Sequence, residues 1–302
     1  MWTERATPKV DLLLLLVLAA LWGASYSFIR VGVTTIPPIT LIAARTFVAG
    51  GLLALWVVAC GISIPVDAAV WRRFFVQALL NSVLPFLLIA WAQQFVQAGV
   101  ATILNSVTPV LAFLAAWAMY GQKEVTARKC FGVAAGLAGI CWVMGGSALH
   151  GVGDQLLPQL AIVAASACYA GASLYGRSFA GLSPVVPAAG SLLVGSVILV
   201  PASLVIEHPW TLEPSLQSIG ALLALAVFST ALAFVIYFRL LQTLGSVATT
   251  AQSYLRVPIG VGIGAVFLDE SLSSTAWVGL ACVVVGVCAM TIPNRKSIER
   301  QT

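Results

Sequence analysis

Two arginines stand deep inside apolar runs. At a helical rise of about 1.5 Å per residue, Arg45 and Arg256 each lie roughly 12–15 Å from the nearer end of the run that holds them. In hydrocarbon, a charge at that depth costs at least about 2.5–3.5 kcal/mol on insertion scales. No Asp, Glu or His sits deep in any of these runs. An ion pair is open to them only if Asp11 or an acid from a connection bends inward. Two chemistries remain. In one, carbonyls and amides from broken helices satisfy each guanidinium, with Asn105 and Thr108 before Pro109, or carbonyls freed by Pro258, as partners. In the other, at least one arginine faces a watery cavity and binds a carboxylate or phosphate.

Aromatic and amide side chains fall at helical spacing around these charges. Trp22 and Tyr26 share a face, as do Tyr169 and Ser173. Asn81 stands one turn before Pro85, Trp91 lies further along that run, and Gln252 stands one turn before Arg256. Buried amides need partners, and aromatics give apolar walls with polar handles. The candidate substrate-binding set is Trp22, Tyr26, Asn81, Trp91, Asn105, Tyr169, Ser229, Tyr237, Gln252 and Arg256. Helix packing or an interfacial belt is the competing reading, and the belt is favoured for Trp71, Trp142, Trp210 and Trp277. Pro85, Pro109, Pro187 and Pro258 are expected to free carbonyls inside their helices and permit kinking, which gives Pro85, Pro109 and Pro258 structural or gating roles.

Catalytic chemistry finds no support. There is no HExxH, no paired acid and no histidine within a run, so no catalytic residue is assigned and no enzyme is expected. The cysteines Cys60, Cys130, Cys141, Cys168, Cys282 and Cys288 form no CxxC pair or His/Cys cluster, so no metal and no cofactor are expected. They read as small buried apolar residues.

The elements that must position these residues are transmembrane helices. Sixty per cent of the 302 residues are hydrophobic and 8 per cent are charged, against about 25 per cent charged in a soluble domain. Ten runs of spanning length read as 11–33, 36–60, 71–95, 98–120, 128–148, 157–177, 184–206, 214–238, 246–268 and 273–293. The first lacks a clear cleavage site and reads as a retained helix. With the amino terminus in the cytoplasm, twelve basic residues fall on that side and Arg30 alone on the other. This asymmetry places both termini in the cytoplasm.

The two halves repeat. Gly23-Ala24-Ser25 returns as Gly171-Ala172-Ser173, and Val100-Ala101-Thr102 as Val247-Ala248-Thr249. Gly132, Gly136 and Gly139 fall opposite Gly279, Val283 and Gly286. The division is 1–148 and 149–302. Five spans per half is odd, so the second copy enters the membrane inverted, as in many carriers with a midplane site. The expected fold is an all-α membrane protein of ten helices in two inverted five-helix repeats.

At this point the sequence resembles the EamA-like family of the drug/metabolite transporter superfamily. Leu21-Trp22-Gly23-Ala24-Ser25-Tyr26 is similar to the family's first-helix pattern, and Ala44-Arg45-Thr46-Phe47-Val48-Ala49 to its second. Tyr237-Phe238-Arg239-Leu240-Leu241, Gly245 and Phe267-Leu268-Asp269-Glu270-Ser271-Leu272-Ser273 resemble its eighth-to-tenth-helix signature. Three features depart from it: Asp269 before Glu270, Gln122-Lys123-Glu124, and the charge of Arg256. The resemblance implies a cavity lined mainly by helices 1, 3, 4, 6, 8 and 9. It also implies a secondary transporter of amino acids or related metabolites, often outward, in a bacterial-type inner membrane. It gives Arg45 a structural role, while Arg256 keeps both readings. The alternatives are a facilitative carrier or exchanger of an anionic metabolite and, remotely, a membrane-embedded enzyme. Lacking a deep titratable acid or histidine, the chain is expected to work by facilitated diffusion or exchange, or by coupling through a group the sequence does not identify. Its partners are a small-molecule substrate and the lipid bilayer, with no nucleic acid, as a monomer or weak dimer.

Overall fold

The structure, a computed structural model, describes residues 8–120, 127–149, 156–244, 249 and 252–291. Among them every regular element is helical. These are α1 (Pro8–Gly32), α2 (Pro38–Ala59), α3 (Ala68–Ala92), α4 in two pieces (Ala98–Asn105 and Thr108–Tyr120), α5 (Ala127–Leu149), α6 (Leu156–Phe179), α7 (Val185–Ile206), α8 (Leu216–Thr243), α9 (Gln252–Phe267) and α10 (Ser274–Thr291). Seven helices, α1 to α4 and α6 to α8, are long and apolar enough to cross a membrane. The described apolar stretches of α5, α9 and α10 are shorter. Large apolar side chains such as Phe47, Leu55, Val197 and Val266 point outward all round, as lipid requires.

Local chemistry sets the boundaries. The Asp67 carboxylate accepts from the Ala69 N–H and starts α3 ahead of Arg72 and Arg73, where hydropathy alone began it at 71. Ser215 caps α8 by accepting from the Ser218 N–H, and that helix runs on to Thr243 rather than stopping at 238.

The packing is symmetric under exchange of the halves. α2 lies along α7, and α5 along α10. α6 packs on α3 and α4, and α1 packs on α8 and α9. Shifting every label by five maps this set of contacts onto itself: α2–α7 and α5–α10 return unchanged, and the α6 contacts exchange with those of α1. The α5–α10 pair is the tightest, because a Cβ on Gly279 would stand 2.8 Å from the Gly139 carbonyl oxygen and one on Gly286 2.6 Å from that of Gly132. Small residues bring these backbones together, as membrane helices require when apolar burial drives nothing.

Several helices are irregular near mid-length. α3 contains a π turn at Leu79–Val83, and α8 one at Val227–Leu232. α4 breaks at Ser106 and Val107. Pro258 lies inside α9, Pro85 follows the α3 π turn, and Pro109 opens the second piece of α4. Pro187 does not act as expected. It sits in the first turn of α7, where its missing N–H would have had no partner, and the internal proline of that helix is Pro201. The cysteines also differ from expectation. Cys60, Cys130 and Cys141 are exposed and Cys168 and Cys282 partly so, because in lipid a thiol on the outer face loses nothing. The side chain of Cys288 lies outside the described residues.

Candidate functional site

A cavity of about 70 Å³ lies between the halves. α1 contributes Trp22, Ser25, Tyr26 and Ile29, and α2 contributes Arg45. From α3 come Asn81, Phe86 and Ile89, from α4 Thr108, and from α6 Tyr169 and Ser173. α8 gives Phe234 and Tyr237, while Gln252, Ser253 and Arg256 of α9, with Thr249 just before it, complete the wall.

Backbone geometry puts them there. α1 and α9 cross where a Cβ on Gly23 would lie 3.1 Å from the Arg256 carbonyl oxygen, so Trp22, Tyr26 and Arg256 share one chamber. The Trp22 ring stands 5.2 Å from that of Tyr237. Within the α8 π turn, Thr230 donates to the Leu225 carbonyl at 2.7 Å and accepts from Arg45 Nε at 2.7 Å. Ser229 donates to the Leu21 carbonyl, tying α8 to α1. At the α4 break, the Asn105 side-chain oxygen accepts from Arg256 Nη2 at 2.9 Å, and its Nδ2 donates to Ser166 at 3.1 Å. Each arginine is therefore held by a polar residue at or near a helix irregularity.

The two arginines are not equally compensated. Arg45 lies 3.6 Å from the centroid of Phe86, a desolvated cation–π contact worth about 2 kcal/mol. With a charged hydrogen bond of about 1.5–3 kcal/mol, this matches its insertion cost. Among the described residues, Arg256 has its bonds to Asn105 and a distant ring, Tyr26 at 5.9 Å. The buried wall atoms Arg256 Nε, Asn81 Nδ2 and Gln252 Oε1 have no partner among the described residues. Such groups are rare in folded proteins and mark places that water or a ligand completes.

Different chemistry closes the two ends. At the far end, where α1 finishes, an Arg30 Nη donates to the Gln93 carbonyl, and Gln93 Nε2 donates to the Tyr26 carbonyl. There the Glu270 carboxylate accepts from the Ala98 and Gly99 N–H groups at 2.7 and 2.9 Å. At the near end, where α1 begins, Phe74, Phe179 and Phe238 pack with centroids 5.6 and 6.3 Å apart.

The cavity brings together Trp22, Tyr26, Asn81, Tyr169, Tyr237, Gln252 and Arg256 from the expected set. Trp91 stands apart, packed edge-on against Phe95 at 5.6 Å. Asn105 and Ser229 hold neighbours rather than forming wall: Asn105 meets Arg256, and the Ser229 hydroxyl is taken by a carbonyl. Arg45 lines the chamber as well as bonding to Thr230, so α2 joins the helices expected around it. Ser25, Ile29, Phe86, Ile89, Phe234 and Ser253 were not singled out. Ser25 and Ile29 follow Trp22 and Tyr26 at helical spacing and were recoverable; Phe86, Ile89 and Phe234 are apolar types that carry no signal.

This geometry has counterparts. The family model described as "EamA-like transporter family" matches residues 10–145 and again 156–292. An uncharacterized inner membrane transporter, YedA, from Escherichia coli strain K12 is 27% identical over 280 residues, covering 92% of this chain and 89% of its own. An uncharacterized transporter, YvbV, from Bacillus subtilis strain 168 is 24% identical over 292 residues, covering 96% and 95%. A probable terminal-alkyne amino-acid exporter from Streptantibioticus cattleyicolor is 26% identical over 216 residues, covering 71% and 70%. A crystal structure aligns with TM-score 0.68 at 18% identity over 96% of this chain and 100% of the other, a likeness of fold. The chain is a multi-pass integral membrane protein and belongs to the EamA-like transporter family.

Proposed function

We propose that this protein is a secondary transporter of small organic solutes that works by alternating access around the central cavity. The observation that carries the reading is a largely apolar chamber with polar groups on its wall, between two equivalent sets of irregular helices and with separable contacts at either end. Rocking one half against the other would part the far-end carboxylate caps or the near-end aromatic stack in turn. The chain crosses the membrane ten times as two inverted repeats, with the near end and both termini in the cytoplasm. The excess of basic residues there supports this orientation. The inner membrane and export of an amino acid or related metabolite follow the names of the relatives. No side chain of the reading is catalytic, and it needs no cofactor. The protein acts as a monomer or weak dimer.

A second reading, a facilitative carrier or exchanger of an anionic metabolite, is favoured by Arg45 and Arg256 on a wall whose described residues include no Asp, Glu or His. The test is counterflow with purified protein in liposomes. Saturable uptake of labelled solute, accelerated by unlabelled solute inside, supports a carrier. Flux that rises without saturation indicates a channel. Concentration of solute by a pH difference alone would overturn facilitated exchange.

A further inference from the structure

Both arginines of the cavity are buried, Arg45 at 3% and Arg256 at 6% exposure. They stand on the wall of one chamber, where a single occupant can meet both. A guanidinium offers five N–H donors in a fixed fork, and among the described residues few of them find a partner. Arg45 gives Nε to Thr230 and lays its plane on Phe86. Arg256 gives Nη2 to Asn105, and its Nε is without a partner. Every one of these partners is neutral. A ring face and an amide lower the energy of a guanidinium but leave its charge in place. Two like charges in one poorly solvated chamber also repel. An occupant with no net charge changes neither, and a monoanion neutralises one and leaves the other.

We propose that the occupant of this cavity carries two negative charges, one against each arginine. Its chemistry is that of a dicarboxylate or a phosphate monoester, both matched to the planar fork of arginine. Asn81 Nδ2 adds a further unpartnered donor, and Gln252 Oε1 accepts a hydroxyl or amine carried by the same molecule. This deepens the anion-carrier reading and rests on it for transport, but not for binding.

The experiment is a thermal-shift titration of the detergent-purified full chain with matched pairs at equal ionic strength: succinate against butyrate, and glycerol phosphate against glycerol. The divalent member of at least one pair raises the melting temperature and its partner does not. Succinate alone assigns the dicarboxylate, and glycerol phosphate alone assigns the phosphate ester. Arg256→Gln and Arg45→Gln each weaken that binding about ten- to a hundredfold, the loss of one charged hydrogen-bond site. If Arg45→Gln does not fold, Arg256→Gln decides. Discrimination in neither pair, with each divalent member stabilising no more than its partner, overturns the proposal. A divalent anion that binds without counterflow in liposomes removes the transport reading and leaves this one standing. Saturable counterflow of a neutral solute, with no divalent anion bound, does the reverse.

Discussion

Arg256 depends on Asn105. Its only described hydrogen bonds go to that residue's side chain and, at 3.4 Å, to its carbonyl. Asn105→Leu leaves a buried charge with its main partner gone. Stability should fall by about 1.5–3 kcal/mol, read by thermal or chemical unfolding in detergent. Gln77 makes the opposite case. It is fully buried on α3, and neither amide atom has a partner among the described residues. Gln77→Leu removes an unsatisfied group and should leave the melting temperature unchanged or higher. A drop of several degrees would show that ordered water holds the amide. The need of Arg256 for help was legible in the sequence, and Asn105 was named among the possible partners. The Thr230 bond to Arg45 was not, because a π turn turns that hydroxyl and hydropathy does not record π turns.

Between helices, the glycines of α5 and α10 decide how close two rods come. Gly279→Leu would drive a side chain into the Gly139 carbonyl and should abolish folded protein, while Gly262→Ala, with nothing within 4 Å, should be silent. Monodispersity on size exclusion separates the two. The far-end closure gives a subtler expectation. Glu270 places a carboxylate on the first N–H groups of α4, where the helix dipole favours negative charge by about 0.3–1 kcal/mol. Glu270→Gln should loosen that end, so that a cysteine at Ile29, on the cavity wall, reacts faster with a water-soluble maleimide. An unchanged rate would show that the caps are not a gate. Proline positions were visible in the sequence, but their effects followed from helix starts: Pro187 is inert because α7 begins only two residues earlier, at Val185.

Over the whole molecule, the charge asymmetry makes a prediction about sidedness. Thr211 and Ser183 are exposed in connections at opposite ends of the bundle. In a background lacking the six native cysteines, Thr211→Cys should react with an impermeant thiol reagent in intact cells. Ser183→Cys should react only after lysis. The reverse pattern would invert the proposed topology and place the aromatic stack on the outside.

By itself the sequence determined that this chain lives in lipid, that it is helical and that it repeats. Those properties follow from composition, run length and order, each of which is local or additive along the chain. It also marked the deep arginines, because a charge in an apolar run is conspicuous wherever the run ends up. The tertiary structure alone decided that Arg45 and Arg256 face one chamber, since they lie in different halves and meet through helix crossings set by glycines far along the chain. It also decided which polar groups are already spent on the protein, as Ser229 is on the Leu21 carbonyl, and which remain open, as Asn81 Nδ2 and Arg256 Nε do. Residue type gives a group's capacity to bond, but only the positions of its neighbours show whether that capacity is used.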